Sequence, residues 1–416
     1  MQKSVVVIGG GIVGLSCAYY LQKAGHQVTL IDKGQFNEGT SHINAGYLTP
    51  SHIIPLAAPG MVQKGLRWMT RPDSPFYIQP RFDLDLFRWG WKFMRACSQK
   101  HVDNSLEVIR DINLLSKDLY IEMKDSKDID FQLESKGLLM AYQSSKIEKE
   151  EAKVAQKARA LGLEVRQLDH TQLQQYQPEV QMHAAGAFYY TCDAHTTPGL
   201  FMQQLLAFVR QAGVDCRAQT TVTGFLYQNQ KIKGVQTTQG TFNADEYVMA
   251  AGVWSEDVLR PLGIRIALQA GKGYAISTTQ PTGISLPAIL LEPKIAVTPM
   301  QGFTRFAGTM ELSGINHQIH PHRVAAIARG VADFYPQLNL PQADIAKAKC
   351  GLRPLSPDGL PYIGKHPNCD NLTLATGHAM MGWSLGPATG KLVAELISGQ
   401  KTSLALDPFS PLRKTG

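Results

Sequence analysis

Residues 4–32 read SVVVIGGGIVGLSCAYYLQKAGHQVTLID. A β-branched run leads into glycines, a helix-period segment follows, and a second β run (Val28 to Ile31) ends at Asp32. This is the pattern of a β-α-β unit. Gly9, Gly11 and Gly14 give GxGxxG at the strand-to-helix junction, and Asp32 closes the next strand. The first glycine makes the turn, the second lets a pyrophosphate approach the backbone, and the third lets helix pack on strand. The helix start offers free N–H groups and partial positive charge. Asp32 can accept from a ribose diol and would repel a 2′-phosphate, so NADP is disfavoured. The fingerprint does not choose between FAD and NAD.

A second strand–glycine–helix junction, TGHAMMGWSLGPATG, lies at 376–390. A reduced flavin carries negative charge at N1 and C2=O, and a helix start with Gly382, Trp383 and Ser384 at its mouth would stabilise it. An ordinary packing turn would need the same glycines.

The chain has 416 residues, 44% hydrophobic and 18% charged, which excludes a disordered protein and predicts two domains. The net charge of +7 suits an anionic partner such as phosphate, acidic lipid or nucleic acid. Six scattered cysteines without a CxxC pair suggest neither a zinc site nor a disulfide framework. No metal is expected, and reduced thiols point to a cytoplasmic setting. The N-terminus does not read as a signal peptide, and no apolar stretch is long enough to span a bilayer. Parallel α/β signals at both ends flank strands such as GYAIST, KIAVTP and FTRFAGT. The expected fold is α/β. A Rossmann-type domain (1–58, 196–264 and 345–416) is interrupted by an α+β substrate domain (59–195 and 265–344) with a mixed, largely antiparallel sheet. The final helix is expected over 387–399.

Asp85 to Cys97 reads DLFRWGWKFMRAC. Leu86, Gly90, Phe93, Met94 and Cys97 share one helical face, Arg88, Lys92 and Arg95 another, with Trp89 and Trp91 flanking. The pattern suits a membrane interface, and equally a helix docked on its own domain.

Five blocks in order carry a resemblance across most of the chain: GGGIVGLSCAYYL with LID, TSHINAGYLTP (40–50), MAAGVWS (249–255), GLRPLSPDGLPYIG (351–364) and TGHAMMGWSLGPATG. Together they resemble the D-amino acid oxidase superfamily of FAD-dependent amine and amino acid oxidoreductases. The second and third blocks, with the stretch at 58–69, resemble its bacterial D-amino acid dehydrogenase branch. The last two are similar to its glycine oxidase branch. The resemblance implies a cofactor set of Gly9, Gly11, Gly14 and Gly252, with Ile12 and Val13 over the pyrophosphate and Asp32 and Lys33 at the ribose. It also implies Thr40 and Ser41 donating to phosphate, Ala45, Gly46 and Tyr47 beside the flavin, Val222 at adenine, and His378 through Ser384 (with Gly382 and Trp383) at the flavin pyrimidine.

Arg353 occupies the carboxylate-binding position, and a planar fork grips a carboxylate better than lysine can. The glycine oxidase pattern has a second arginine where this chain has Met380, which points to a larger or apolar substrate side chain. His42 and Cys350 each fall one place from the family's covalent attachment points, so FAD is expected to be non-covalent. Tyr274 is a candidate to close the pocket or bond substrate, Met310 matches a pocket-lining position, and His52 lies in a loop of interest; all three types are also ordinary core residues.

The resemblance implies hydride transfer from Cα of a D-amino acid to flavin N5, with loss of ammonia, and electrons passed to a quinone-type acceptor. The setting would be cytoplasmic, at the inner face of the plasma membrane if the protein associates peripherally. The rivals are a glycine or sarcosine oxidase using oxygen, a D-proline or hydroxyproline dehydrogenase, and a tRNA-modifying FAD enzyme. No nucleic-acid partner is expected, because the basic residues cluster with tryptophans.

Overall fold

A computed structural model describes residues 1–69 and 74–413. Strand β1 (Ser4–Ile8), helix α1 (Ile12–Lys23) and strand β2 (Gln27–Ile31) form the expected unit. The six-stranded sheet runs 215–217, β2, β1, 246–249, 369–376 and 362–366, parallel except for the last pair. The run SVVVI is apolar at successive positions because both faces of β1 are covered. Val5 and Val7 meet the core that holds α1 and the C-terminal helix, while Val6 and Ile8 meet Ile232 and Val235 beyond the sheet.

The second sheet has nine strands, in the order 349–355, 269–278, 303–312, 295–300, 288–290, 138–142, 186–190 and 165–169, with 76–78 beside 303–312. Two of its pairings are parallel, 288–290 with 138–142 and 303–312 with 76–78; the rest are antiparallel. Helix Pro321–Phe334 packs Val324, Ile327 and Val331 on one face with Tyr274, Ile276 and Phe306.

The chain divides its residues between these two cores differently from the sequence reading in two places. Strand Lys349–Leu355, placed by that reading in the nucleotide unit, pairs with 269–278 in the second sheet. Helix α4 (Gln99–Asp125), placed in the substrate unit, buries Ile112, Leu119 and Tyr120 in the nucleotide core.

The C-terminal helix runs Gly382–Ile397, starting five residues earlier than expected, with Pro387 inside it. Proline has no N–H to offer the carbonyl four residues back, which here is Trp383 O. The hydroxyl of Tyr120 on α4 donates to that oxygen at 2.8 Å, so the proline is tolerated.

Candidate functional site

The glycine junction is built as the sequence reading requires. Gly9 has φ of +109°, and a Cβ there would lie 2.4 Å from Ala250 O. A Cβ on Gly14 would lie 1.8 Å from Gly9 O, so strand and helix approach too closely for any side chain. Helix α1 has no acidic residue in its first turn and no side-chain cap from Gly11. Ser41 Oγ accepts from Ile12 N at 3.0 Å, which leaves its own proton free to donate. Asp32 accepts from Gly10 N at 2.6 Å and from Gly34 N at 2.7 Å, one bond on each oxygen. Each oxygen keeps a lone pair for a ribose hydroxyl. Lys33 Nζ stacks 3.3 Å from the Trp254 ring centroid, and burial lowers its pKa despite the nearby Asp32 and Glu38. Residues 219–220 close this end, through Gln219 N to Gly34 O (2.9 Å) and Thr220 N to Asp32 O (2.8 Å), two residues before Val222. A positively polarised helix start, with Ser41 on its first N–H and a fixed carboxylate beside it, fits an FAD pyrophosphate and ribose.

Beyond the loop 40–47 lies a cavity of about 840 Å³. Its floor is the uncovered face of the second sheet. In antiparallel pairs, residues directly opposite share a face. Ala275, Ala307 and Ala296 are opposite one another in adjacent strands, and all three line the cavity. Small side chains in this row leave the floor open. The next step along the sheet brings Gly273, Gly351 and Thr309; Arg353, opposite Gly271 one step farther, lays its guanidinium back over Gly273. The pairing of 269–278 with 303–312 slips by one residue between Lys272 and Tyr274. Thr309 absorbs the extra residue at φ of +66°, a conformation that a β-branched residue rarely takes. The bulge turns its carbonyl toward Arg353, whose Nη1 donates to it at 3.1 Å. Among the described residues no acidic side chain pairs with Arg353; its other polar contact is Met310 Sδ at 4.0 Å. Burial draws its pKa down to about 10, so it stays charged at neutral pH. An unneutralised guanidinium in an apolar cavity is a receptor for an anion.

The structure gathers Thr40, Ala45, Tyr47, His52, Tyr274, Met310, Arg353, Met380, Trp383 and Ser384 on this one cavity. It also changes several expected roles. Thr40 does not offer its hydroxyl to phosphate: the group donates to Leu352 O (3.0 Å) and accepts from Leu352 N (2.9 Å), tying the loop to the strand of Arg353. Tyr274 is not placed to act on substrate. Its hydroxyl donates to Glu311 Oε2 at 2.8 Å, in a buried cluster with Lys272 and Arg323. Strand alternation puts that ring on the face opposite Arg353. Ser384 accepts from Thr49 N and donates to Asn113, while Trp383 Nε1 donates to Thr196, so both side chains are held in packing. His378 bonds Thr389 at 2.9 Å, and burial pushes its imidazole down to about 3. His52 is held near 4 by burial and then by Lys294, so it stays neutral too. Gly252 takes φ of +56° and its carbonyl accepts from Thr376.

Of two further wall residues, Thr309 was not singled out in sequence and Trp89 was read only as flanking the faces of an amphipathic helix. Thr309 is visible only as a register slip, which needs the partner strand. Trp89 on helix α3 (Leu84–Ala96) is buried and donates through Nε1 to Leu355 O at 2.8 Å, bracing the Arg353 strand. The face of α3 that docks is Leu86, Trp89 and Phe93. Leu84, Phe87, Trp91 and Met94 lie outward, 48% to 61% exposed, with Met94 therefore on the opposite side from the expected face. Phe87, Trp91 and Met94 also line the cavity, together with Leu66 of helix α2 (Met61–Met69) and Met380. The cavity mouth is thus rimmed by exposed apolar side chains.

The family model for FAD-dependent oxidoreductases (DAO) matches residues 4–396. A D-amino acid dehydrogenase from Vibrio atlanticus is 32% identical, covering 98% of this chain and 98% of its own. One from Helicobacter pylori is 31% identical, with 95% of each covered. Among solved structures, glycine oxidase from Geobacillus kaustophilus superposes with a TM-score of 0.79 at 22% identity, covering 100% of both chains. L-Proline dehydrogenase from P. horikoshii superposes at 0.76 and 20% identity, covering 99% of this chain and 97% of its own. These last two likenesses speak to the fold.

Proposed function

The chain belongs to the DAO family of FAD-dependent oxidoreductases, and from that premise we propose that it is a D-amino acid dehydrogenase. An amino acid and water yield a 2-oxo acid and ammonia, while two electrons pass by way of FAD to an acceptor other than oxygen. The observation that carries the substrate assignment is Arg353, a charged fork on the wall of the cavity with no acidic partner among the described residues.

Bound FAD supplies the hydride acceptor. The helix start at Ile12 with Ser41, and the carboxylate of Asp32, would hold its pyrophosphate and ribose. The Ala275–Ala307–Ala296 floor leaves room for the ring beside Ala45 and Tyr47. Non-covalent attachment is supported by His42 and Cys350 both lying outside the cavity lining, and by Cys350 Sγ sitting against His317 O.

Arg353 grips the substrate carboxylate, and Thr309 O fixes the direction of the grip. Orientation of this kind supplies a large share of barrier reduction. Wall residues Met310, Phe76 and Met380 favour an apolar substrate side chain over glycine. The neighbouring histidines His52 and His378 are held neutral, so neither competes for the carboxylate as a cation. An apolar cavity also disfavours the ammonium form of the substrate, which must lose a proton before its nitrogen can push electrons toward Cα.

The acceptor is a lipid-soluble quinone, reached from a membrane surface. Support comes from the exposed row Leu84, Phe87, Trp91 and Met94, the adjacent Arg88, Lys92 and Arg95, and the apolar cavity mouth beside them. No helix among the described residues is long and apolar enough to cross a membrane, so the contact would be peripheral.

The test is a panel of D- and L-amino acids, D-proline, glycine and sarcosine, assayed with an artificial dye under nitrogen and for peroxide under air. Dye reduction by apolar D-amino acids, abolished at ordinary substrate concentrations in Arg353→Ala with FAD retained, supports the reading. Peroxide formation from glycine would replace it with the oxidase.

A further inference from the structure

A buried arginine, Arg305, stands on the same sheet face as the half-buried Arg353. Arg305 is opposite Ser277 on one neighbouring strand and Thr298 on the other. Its Nε donates to Ser277 Oγ at 3.3 Å. Its Nη1 donates to two carbonyls of the cavity-wall loop, His42 O at 3.1 Å and Asn44 O at 2.7 Å. Thr298 Oγ1 donates to the next carbonyl, Ala45 O, at 2.8 Å. Three carbonyls within four residues are therefore drawn away from the cavity into one polar row of the sheet. Ile43, Asn44, Ala45 and Tyr47 line the cavity on the other side.

No acidic side chain among the described residues pairs with Arg305, and burial draws its pKa down to about 10 without a compensating charge. Phe303 packs against the guanidinium, 5.2 Å from ring centroid to Cζ. The row Ala275–Ala307–Ala296 lies two residues farther along the sheet, about 7 Å away at the usual strand rise. A permanent cation thus stands behind the wall and beside the floor. Burying a cation without a counter-charge costs stability unless its donors are used and an anion is nearby.

We propose that Arg305 is a positioning residue for the cofactor: it fixes the His42–Ala45 segment as the wall on which the flavin ring rests, and its charge favours the reduced, negatively charged ring. The proposal rests on the FAD reading above. Arg353 and Arg305 then divide the work across one sheet face, the first for the substrate carboxylate and the second for the ring.

The experiment compares wild type, Arg305→Met and Arg305→Lys as FAD-loaded proteins. In Arg305→Met, FAD affinity falls by about tenfold or more, as expected for losing two bonds from a charged donor. The visible absorption of the bound flavin shifts, and its midpoint potential becomes more negative. kcat falls, while KM for the amino acid changes less than about twofold, since Arg353 is untouched. Arg305→Lys recovers much of the potential, because the charge returns, but not the affinity, because the fork does not. Thr298→Val, which keeps the arginine, weakens FAD in the same direction by a smaller factor. It stands in as the test if Arg305→Met fails to fold. Affinity, spectrum and potential all unchanged in the Met variant, or in both Arg305→Lys and Thr298→Val, would overturn the proposal. So would a selective rise in amino-acid KM, which would make Arg305 a substrate ligand. A wild-type protein that takes up no FAD would instead sink the reading on which the proposal rests.

Discussion

The guanidinium of Arg353 rests on the Cα of Gly273. A Cβ at that position would lie 2.3 Å from Nη1 and 2.6 Å from Cζ, closer than any real contact allows. The glycine is there to let the fork lie flat on the sheet with its edge toward the cavity. Gly273→Ala should therefore push the fork out of register while leaving the dinucleotide end intact. KM for the amino acid should rise by about ten- to a hundredfold, the loss expected for a misaligned bidentate charge pair. Dye-linked kinetics and the flavin spectrum, read on the same sample, check this. An unchanged KM would mean that the fork does not need its seat.

Tyr120 and Pro387 make a separable pair. Because the hydroxyl of Tyr120 occupies the carbonyl that Pro387 leaves without a donor, Tyr120→Phe should cost about 1–3 kcal/mol in unfolding free energy. Replacing Pro387 with Ala supplies a new N–H to the same oxygen. The double variant should then lose much less than the sum of the single effects, and denaturant titration of all four proteins measures the coupling. Additive losses would show that the hydroxyl is not there for the proline.

Acid sensitivity follows from three buried histidines. His378 is held near 3, and His52 and His195 near 4, against an ordinary value of 6.5, in each case chiefly by burial. The unfolded chain binds more protons at these sites below pH 6.5, so their contribution is complete above that pH and is lost as the pH falls toward 3–4. Asp193 acts in the other direction. Burial raises it to about 7 from 3.8, so its contribution is present below about pH 3.8 and lost as pH rises toward 7. Among these four groups the histidines outnumber the aspartate, so their combined effect between pH 6.5 and 4 is a loss on acidification. Each buried group can contribute a slope of at most about 1.4 kcal/mol per pH unit. His378→Gln, which can keep a bond to Thr389, should flatten the decline between pH 6.5 and 5 by up to that amount. An identical slope in the variant would mean that His378 takes up its proton without cost.

What could be read in the sequence was local. The β-α-β unit, the glycine turn and Asp32 are one continuous segment, and their spacing carries their geometry. Arg353 lies in the block GLRPLSPDGLPYIG and was placed at the carboxylate by the resemblance; among the described residues the folded sheet brings no acidic side chain to it. The roles that failed are those decided across strands. Nothing near Thr40 in sequence says that its hydroxyl will close on Leu352, more than three hundred residues away. Tyr274 is two residues from Lys272, but only the pairing with 303–312 reveals that both point at Glu311. Thr309 and Arg305 were invisible for the same reason: a bulge and a cross-strand row exist only once two or three strands are in register. On α3 the helical period was legible but its orientation was not, because both faces are apolar and Trp89 alone has a partner, Leu355 O, for its ring N–H.

That orientation gives the last prediction. A helix kept off the membrane should hide its large side chains, yet Phe87 and Trp91 are each 61% exposed and stand one turn apart beside Arg88 and Lys92. Burying two aromatic side chains is worth several kcal/mol in a lipid interface, enough to decide whether a basic helix stays bound. Phe87→Ser with Trp91→Ser should abolish flotation with anionic vesicles at low salt. Because Phe87 and Trp91 also line the cavity mouth, dye-linked activity should fall somewhat, but less than activity with a quinone held in vesicles, which should fall with binding; Trp89 still braces the strand of Arg353 from the inner face. Loss of both activities together would show instead that the outer face supports the cavity itself, and unchanged flotation would place the membrane contact elsewhere on the protein.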